Sequence, residues 1–143
     1  MTPRRLVLAG AVALALVPRR ASADAALAAA IREAVGDVAP VDGGIELRVP
    51  AVAENGAQVP LAIVVDSPMT EADHVTAIHV FAPRNPTPGV ATFHLFAGLA
   101  RAEVHTRIRV AEEQAILVLA RLNDGTLRRA SATLKVTRGG CLA

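Results

Sequence analysis

Apolar and polar residues follow three different rhythms along this chain. Leu6 to Val17 is an apolar run of about 12 residues, short of the roughly 20 that a bilayer-spanning helix needs. In "DAALAAAIREAVGD", Leu27, Ile31 and Val35 recur at a spacing of four, which lines up one stripe of a helix. Asp24 is placed to cap that helix, and Gly36 is suited to the left-handed conformation that ends it. From Asp42 onward the rhythm becomes short alternating segments: Ile45 to Val49, Val59 to Val65, Val75 to Phe81, Ala91 to Phe96, Ala102 to Val110, Ala115 to Leu122 and Leu127 to Val136. The separators "ENGA", "DSPMTEAD", "PRNPTPG" and "NDG" supply the Gly, Pro, Asn and Asp that set turn dihedrals, and Asp124-Gly125 suits a tight hairpin between the last two strands. Ala102, Val104, Thr106, Ile108 and Val110 fall on one face of their strand. Glu103, His105, Arg107 and Arg109 fall on the other, which must be wet or meet a partner. Short strands at this spacing predict an all-β fold: an immunoglobulin-like antiparallel β-sandwich with a short N-terminal helix, without the cysteine pair of antibody domains.

The first 23 residues divide as an export signal does. Arg4 and Arg5 form a positive beginning, the apolar run follows, and Ala21-Ser22-Ala23 is a small-residue cleavage pattern before Asp24. The adjacent arginines resemble the twin-arginine signal, a route that carries folded cargo. Pro3, Val7 and Ala9 depart from its pattern, and general secretion is the alternative route. The expected destination is the periplasm, with no membrane attachment once the signal is gone. Cleavage removes four arginines and no acids, leaving 11 basic residues against 13 acidic ones. The mature chain therefore lacks the basic balance of a nucleic-acid binder, and with three Phe and no Trp or Tyr it lacks a platform for stacking bases. The division expected is residues 1–23 signal, 24–136 helix and sandwich, and 137–143 a flexible C-terminal arm.

Independent catalysis finds little support. His74, His79, His94 and His105 lie at spacings unlike those of paired metal ligands, although His79 and His94 can meet across a sheet; no metal site and no cofactor is expected. Ser67 lacks a nucleophile elbow, Ser131 sits in mid-strand, and Glu112-Glu113 belong to a solvent-facing turn. What remains is Cys141, the only cysteine, in "KVTRGGCLA". In an exported chain a lone cysteine either links two chains or is a free thiol with a task. Gly139 and Gly140 remove bulk and backbone restriction beside it, so the thiol can enter a narrow pocket on another protein. If the last strand stops near Val136, five further residues carry Cys141 at most roughly 17 Å. Arg138 favours the thiolate and attracts an anionic sulfur substrate. The residues alone leave two main readings, a covalent carrier or an exported interaction module whose cysteine joins chains by a disulfide, and a minor third in which His79 and His94 hold copper.

The export signal, the short helix, the β domain and "VTRGGC" together resemble the SoxY family, sulfur-carrier subunits of the periplasmic Sox thiosulfate-oxidation system, over essentially the whole chain. Gly139, Gly140 and Cys141 match the first three positions of that family's Gly-Gly-Cys-Gly-Gly arm, whereas Leu142 and Ala143 replace its last two glycines. The resemblance implies a carrier with no catalytic site of its own, bound to a SoxZ-like subunit as a heterodimer. It also implies transient encounters with three enzymes. A SoxAX-like haem enzyme joins thiosulfate oxidatively to the cysteine. A SoxB-like manganese hydrolase removes the terminal sulfone as sulfate, leaving a persulfide, and a molybdenum-haem SoxCD-like enzyme oxidises that sulfur where it is present. Leucine beside the thiol adds bulk and stiffness, which predicts a restricted set of partners.

Overall fold

The alternating segments pair into two sheets that face each other across one core. The computed structural model describes residues 19–138, and the signal arginines Arg4 and Arg5 lie outside that range, as do Gly139 to Ala143. Within it run α1 (Arg19–Val35), β1 (Val41–Asp42), β2 (Ile45–Arg48), β3 (Val52–Ala53), β4 (Val59–Val65), β5 (Val75–Phe81), β6 (Gly89–His94), β7 (Ala102–Ile108), β8 (Gln114–Leu122) and β9 (Leu127–Val136). The larger sheet has the order β1-β9-β8-β5-β6, with β3 also lying along β9. The smaller sheet is β2-β4-β7. All pairings between the longer strands are antiparallel, and β5–β6 and β8–β9 are hairpins joined directly by short loops.

Alternation decides which side chains fill the space between the sheets. On β4, Val59, Leu61, Ile63 and Val65 point inward and are buried, while Pro60 is exposed on the opposite face. Ile78, Val80, Ile116, Val118 and Leu134 meet them from the larger sheet. That sheet also has a dry outer side. Phe81, Leu119 and Leu127 form a second cluster beneath α1, where Leu27, Ile31 and Val35 pack, so the spacing-four stripe is the docked face of the helix. A strand covered on both faces cannot alternate, and "VTAIHVF" in β5 is accordingly almost wholly buried. Among the described residues no helix is long and apolar enough to cross a membrane.

Several expected boundaries shift. Within the described residues the helix already runs from Arg19, so Asp24 lies inside it rather than capping it, because the alanine-rich sequence continues upstream through Ala21 and Ala23. Its end agrees with expectation: Gly36 has φ +73° and donates its N–H to Arg32 O at 2.9 Å. The strand expected over Ala91–Phe96 is β6 at Gly89–His94. Leu95 leaves the ladder, donating to Thr76 O at 3.0 Å, and Phe96 is 67% exposed in the loop. The strand expected to reach Val110 ends at Ile108, because the Val110 N–H turns to Gly56 O at 2.7 Å. Two pairings went unread: β1 and β3, two residues each, run parallel to β9. The Asp124-Gly125 hairpin forms as expected, with Gly125 at φ +88° and the Thr126 N–H donating to Asp124 Oδ1 at 2.8 Å.

Candidate functional site

The cysteine and its two glycines follow β9, so the site begins where that strand is released. On one edge β9 pairs with β8 from Leu127 to Leu134, the last partners being Gln114 and Leu134. On its other edge β3 takes over, with Val52 opposite Lys135 and Ala53 opposite Val136. The backbone bonds continue past the strand: Lys135 N–H donates to Ala51 O at 2.9 Å, Thr137 N–H to Ala53 O at 3.0 Å, and Gly56 N–H to Arg138 O at 2.8 Å. The Thr137 hydroxyl adds a bond to Glu54 O at 3.2 Å. Gly56 is buried and also accepts from Val110, which ties the loop after β3 to the end of β7. Asn55 Oδ1 takes the Ala57 N–H at 2.9 Å and shapes the turn around it.

Arg138, the residue expected to favour a thiolate, is exposed at this root and is held through its carbonyl. Cys141, Gly139 and Gly140 lie outside the described residues, so its distance from the thiol is not part of the described geometry. Of the residues that hold the root, the sequence reading took Glu54 and Gly56 as turn residues, counted Thr137 with the C-terminal arm and did not single out Ala53. The one hint in the sequence is "ENG", a tight turn close after the β-branched Val52.

The histidines divide. His79 and His94 share the outer face of the larger sheet on neighbouring strands, His94 opposite Ala77 and His79 opposite Thr92. His79 is 6% exposed, its Nδ1 lies 3.0 Å from Thr92 Oγ1, and its ring stacks on Phe81. Burial, with the positive charges of Arg121 and then His94 adding to it, holds the His79 pKa below the usual 6.5. No group of three or more His, Cys, Asp or Glu side chains gathers among the described residues. Ser67 bonds within its own turn, accepting from Met69 N–H at 3.2 Å, and Ser131 is paired opposite Leu117.

The polar row of β7 is half of a patterned face on the smaller sheet. Glu46, Val64 and Glu103 are aligned across β2, β4 and β7, and Arg48, Ala62 and His105 form the next row. An acidic row thus lies against a basic one, with small side chains between. Arg48 Nη2 is 2.5 Å from Glu46 Oε1, and His105 Nε2 is 2.5 Å from Glu103 Oε1. The bond from His105, followed by the charge of Arg101 nearby, holds the Glu103 carboxyl below the usual range. These pairs are largely solvated and add little to stability.

Comparison with known proteins bears on most of the chain. The family model for the sulfur oxidation protein SoxY matches residues 31–141. A solved structure of the sulfur carrier protein SoxY from Chlorobium limicola f thiosulfatophilum is 31% identical. It superposes with a TM-score of 0.67 over 80% of this chain and 98% of that one. A superoxide reductase (neelaredoxin) from Ignicoccus hospitalis, 14% identical, has a TM-score of 0.58 over 66% of this chain and 80% of its own. A putative superoxide reductase from Thermotoga maritima, 17% identical, has 0.57 over 66% and 86%. At such identities the reductases share the sandwich and nothing more is carried from them. A sequence comparison with curated proteins gave no match.

Proposed function

The chain belongs to the SoxY family of sulfur oxidation proteins, and from that premise we propose that it is a periplasmic sulfur carrier whose thiol is Cys141. The observation that carries the proposal is the extent of the family match, which spans residues 31–141 and ends on the lone cysteine. The 31% identity to a sulfur carrier over nearly its entire length supports the same role.

The proposed chemistry needs no catalytic group in this chain. A haem enzyme of the SoxAX kind withdraws two electrons while the Cys141 sulfur bonds to the outer sulfur of thiosulfate, with release of the thiol proton. The product is a cysteine S-thiosulfonate. Water then cleaves the bond to the sulfonate group on a SoxB-like hydrolase, sulfate leaves with a proton, and the cysteine keeps one extra sulfur as a persulfide. A SoxCD-like enzyme oxidises that sulfur where it is present, and a SoxZ-like subunit holds the carrier as a heterodimer. This chain binds the intermediate, keeps it from diffusing away and delivers it; Arg138 supplies a positive charge three residues from the thiol.

Intact-mass measurement of the mature protein from cells actively oxidising sulfur tests this directly. Reductant-removable additions of one or more sulfur atoms, or of a thiosulfonate, are expected on the wild-type chain and are abolished by Cys141→Ser. Free thiol and disulfide dimer alone would instead establish the chain-linking reading.

A further inference from the structure

β2 leaves its sheet abruptly, and its departure opens a notch. The ladder with β4 ends at Arg48 opposite Ala62, and by Val52 the chain has crossed to the larger sheet, where it lies opposite Lys135. Pro50 and Pro60 line the gap left behind, and neither has an N–H with which to extend the ladder across it. The result is a cavity of about 540 Å³ on the smaller sheet. Arg48 borders it from β2, and His105 and Arg107 border it from β7. Val49, Pro50, Pro60 and Ala62 give it an apolar lining between those polar groups.

The charge of this notch is positive. Glu46 and Glu103 belong to the neighbouring row and do not line it. Glu46 Oε1 takes both Nε and Nη2 of Arg48, which leaves Nη1 of that guanidinium for another acceptor. Arg107 Nη1 donates to the neutral Gln58 Oε1 at 3.3 Å, a bond that cancels none of its charge. Arg101 shares Glu103 with His105, so two carboxylates stand against the three guanidinium groups of Arg48, Arg101 and Arg107. We propose that the notch is a non-covalent binding site for a sulfur oxyanion whose sulfonate end is joined to a weakly hydrated, polarisable sulfur, the chemistry shared by thiosulfate and the polythionates. Guanidinium forks match the sulfonate oxygens, while Pro50, Pro60 and Ala62 accept the sulfur that water solvates poorly. β2 and β7 flank β4, so their backbones lie roughly 9.5 Å apart, and an anion lying over Pro60 and Ala62 has an arginine on either side. The inference takes its ligand class from the carrier reading: such a site brings unconjugated substrate to the enzymes that the thiol meets.

Titration of the Cys141→Ser chain, which forms no adduct, separates this binding from the covalent chemistry. Thiosulfate, tetrathionate and sulfate are added in turn at constant ionic strength set by sodium chloride, and amide resonances are followed. Saturable shifts are expected with thiosulfate or tetrathionate at Arg48, Val49, Leu61, Ala62 and residues 105–107, and whichever of the two binds more tightly identifies the form the site takes. Arg48→Gln and Arg107→Gln, both at exposed positions, should each weaken that binding about 5-fold, as loss of one exposed charge pair allows. Ala62→Glu, which puts a carboxylate between the arginines, should abolish it, and Arg32→Gln on the helix should leave it unchanged. Shifts that grow without saturating, or that survive Arg48→Gln and Arg107→Gln undiminished, would overturn the proposal. Sulfate binding as tightly as thiosulfate and tetrathionate would overturn it too, since sulfate has no polarisable sulfur to offer the prolines. Absence of sulfur adducts on Cys141 in the native chain would sink the carrier reading while leaving the measured affinity to stand.

Discussion

His79 is a titratable ring in a place that favours its neutral form. It is 6% exposed, bonded to Thr92, and repelled when protonated by Arg121 and His94. Its folded pKa therefore lies below the 6.5 of an unfolded chain. Between those two values the unfolded state binds more protons, so stability rises with pH across that window and is level above it. As pH falls below about 6.5, the contribution of this ring to stability is progressively lost. Urea midpoints at pH 7.5 and pH 5.5 should show that loss in the wild type and a smaller one in His79→Gln, which keeps a hydrogen-bonding group near Thr92. An equal loss in both proteins would remove His79 as its source. The sequence placed His79 and His94 within reach across a sheet, and they do share one face. It could not show the burial of His79, because exposure on an outer face depends on what packs there, and that is decided by residues far along the chain.

At the scale of elements, the helix and the larger sheet depend on one interface. Leu27, Ile31 and Val35 meet Phe81, Leu119 and Leu127, and Arg121 Nη2 donates to Val35 O at 2.6 Å where the helix ends. Leu119→Ala opens a cavity under the helix and is expected to cost about 2–5 kcal/mol in global stability. It should also speed amide exchange over residues 27–35 beyond the change in the sandwich strands. Uniform acceleration throughout would mean that the helix is not a separate unit docked on the sheet. The long strands were legible because seven alternating segments divide at strong turn residues, and β4, β5 and β9 fall where the pattern put them. Pairs as short as β1 and β3 carry no periodicity to read. The pairing of β3 with the end of β9 therefore stayed hidden in a stretch that looked like a turn, although the end of β9 at Val136 is where the pattern put it. Its amino terminus misled differently, since alanine-rich sequence on both sides of Asp24 outweighed one capping side chain.

At the scale of the whole molecule, the carrier reading proposed above divides the chain into a part that stays put and a group that is presented to partner enzymes. The sandwich supplies the fixed part: two sheets closed on a core, one outer face roofed by α1, and the end of β9 tied through Gly56 to the segment after β7. The same proposal makes the lone cysteine the group presented, and there the sequence departs from the Gly-Gly-Cys-Gly-Gly pattern it resembles in one respect that bears on every encounter. Leu142 stands beside the thiol where the SoxY arm has glycine. An isobutyl side chain occupies space that a channel fitted to glycine does not offer, and overpacking of that kind costs typically 1–3 kcal/mol. In a transition state held within such a channel, that corresponds to roughly a 5- to 150-fold lower kcat/KM. Leu142→Gly should accordingly speed both the conjugation of thiosulfate and the hydrolysis of the conjugate by enzymes whose own carriers end in glycines, while the chain's thermal midpoint stays the same. Enzymes adapted to this carrier would show the reverse, losing a contact when the leucine is removed. Rates unchanged with both kinds of enzyme would show that the side chain next to the sulfur never enters the channel, and that discrimination among carriers rests on the sandwich that delivers the arm.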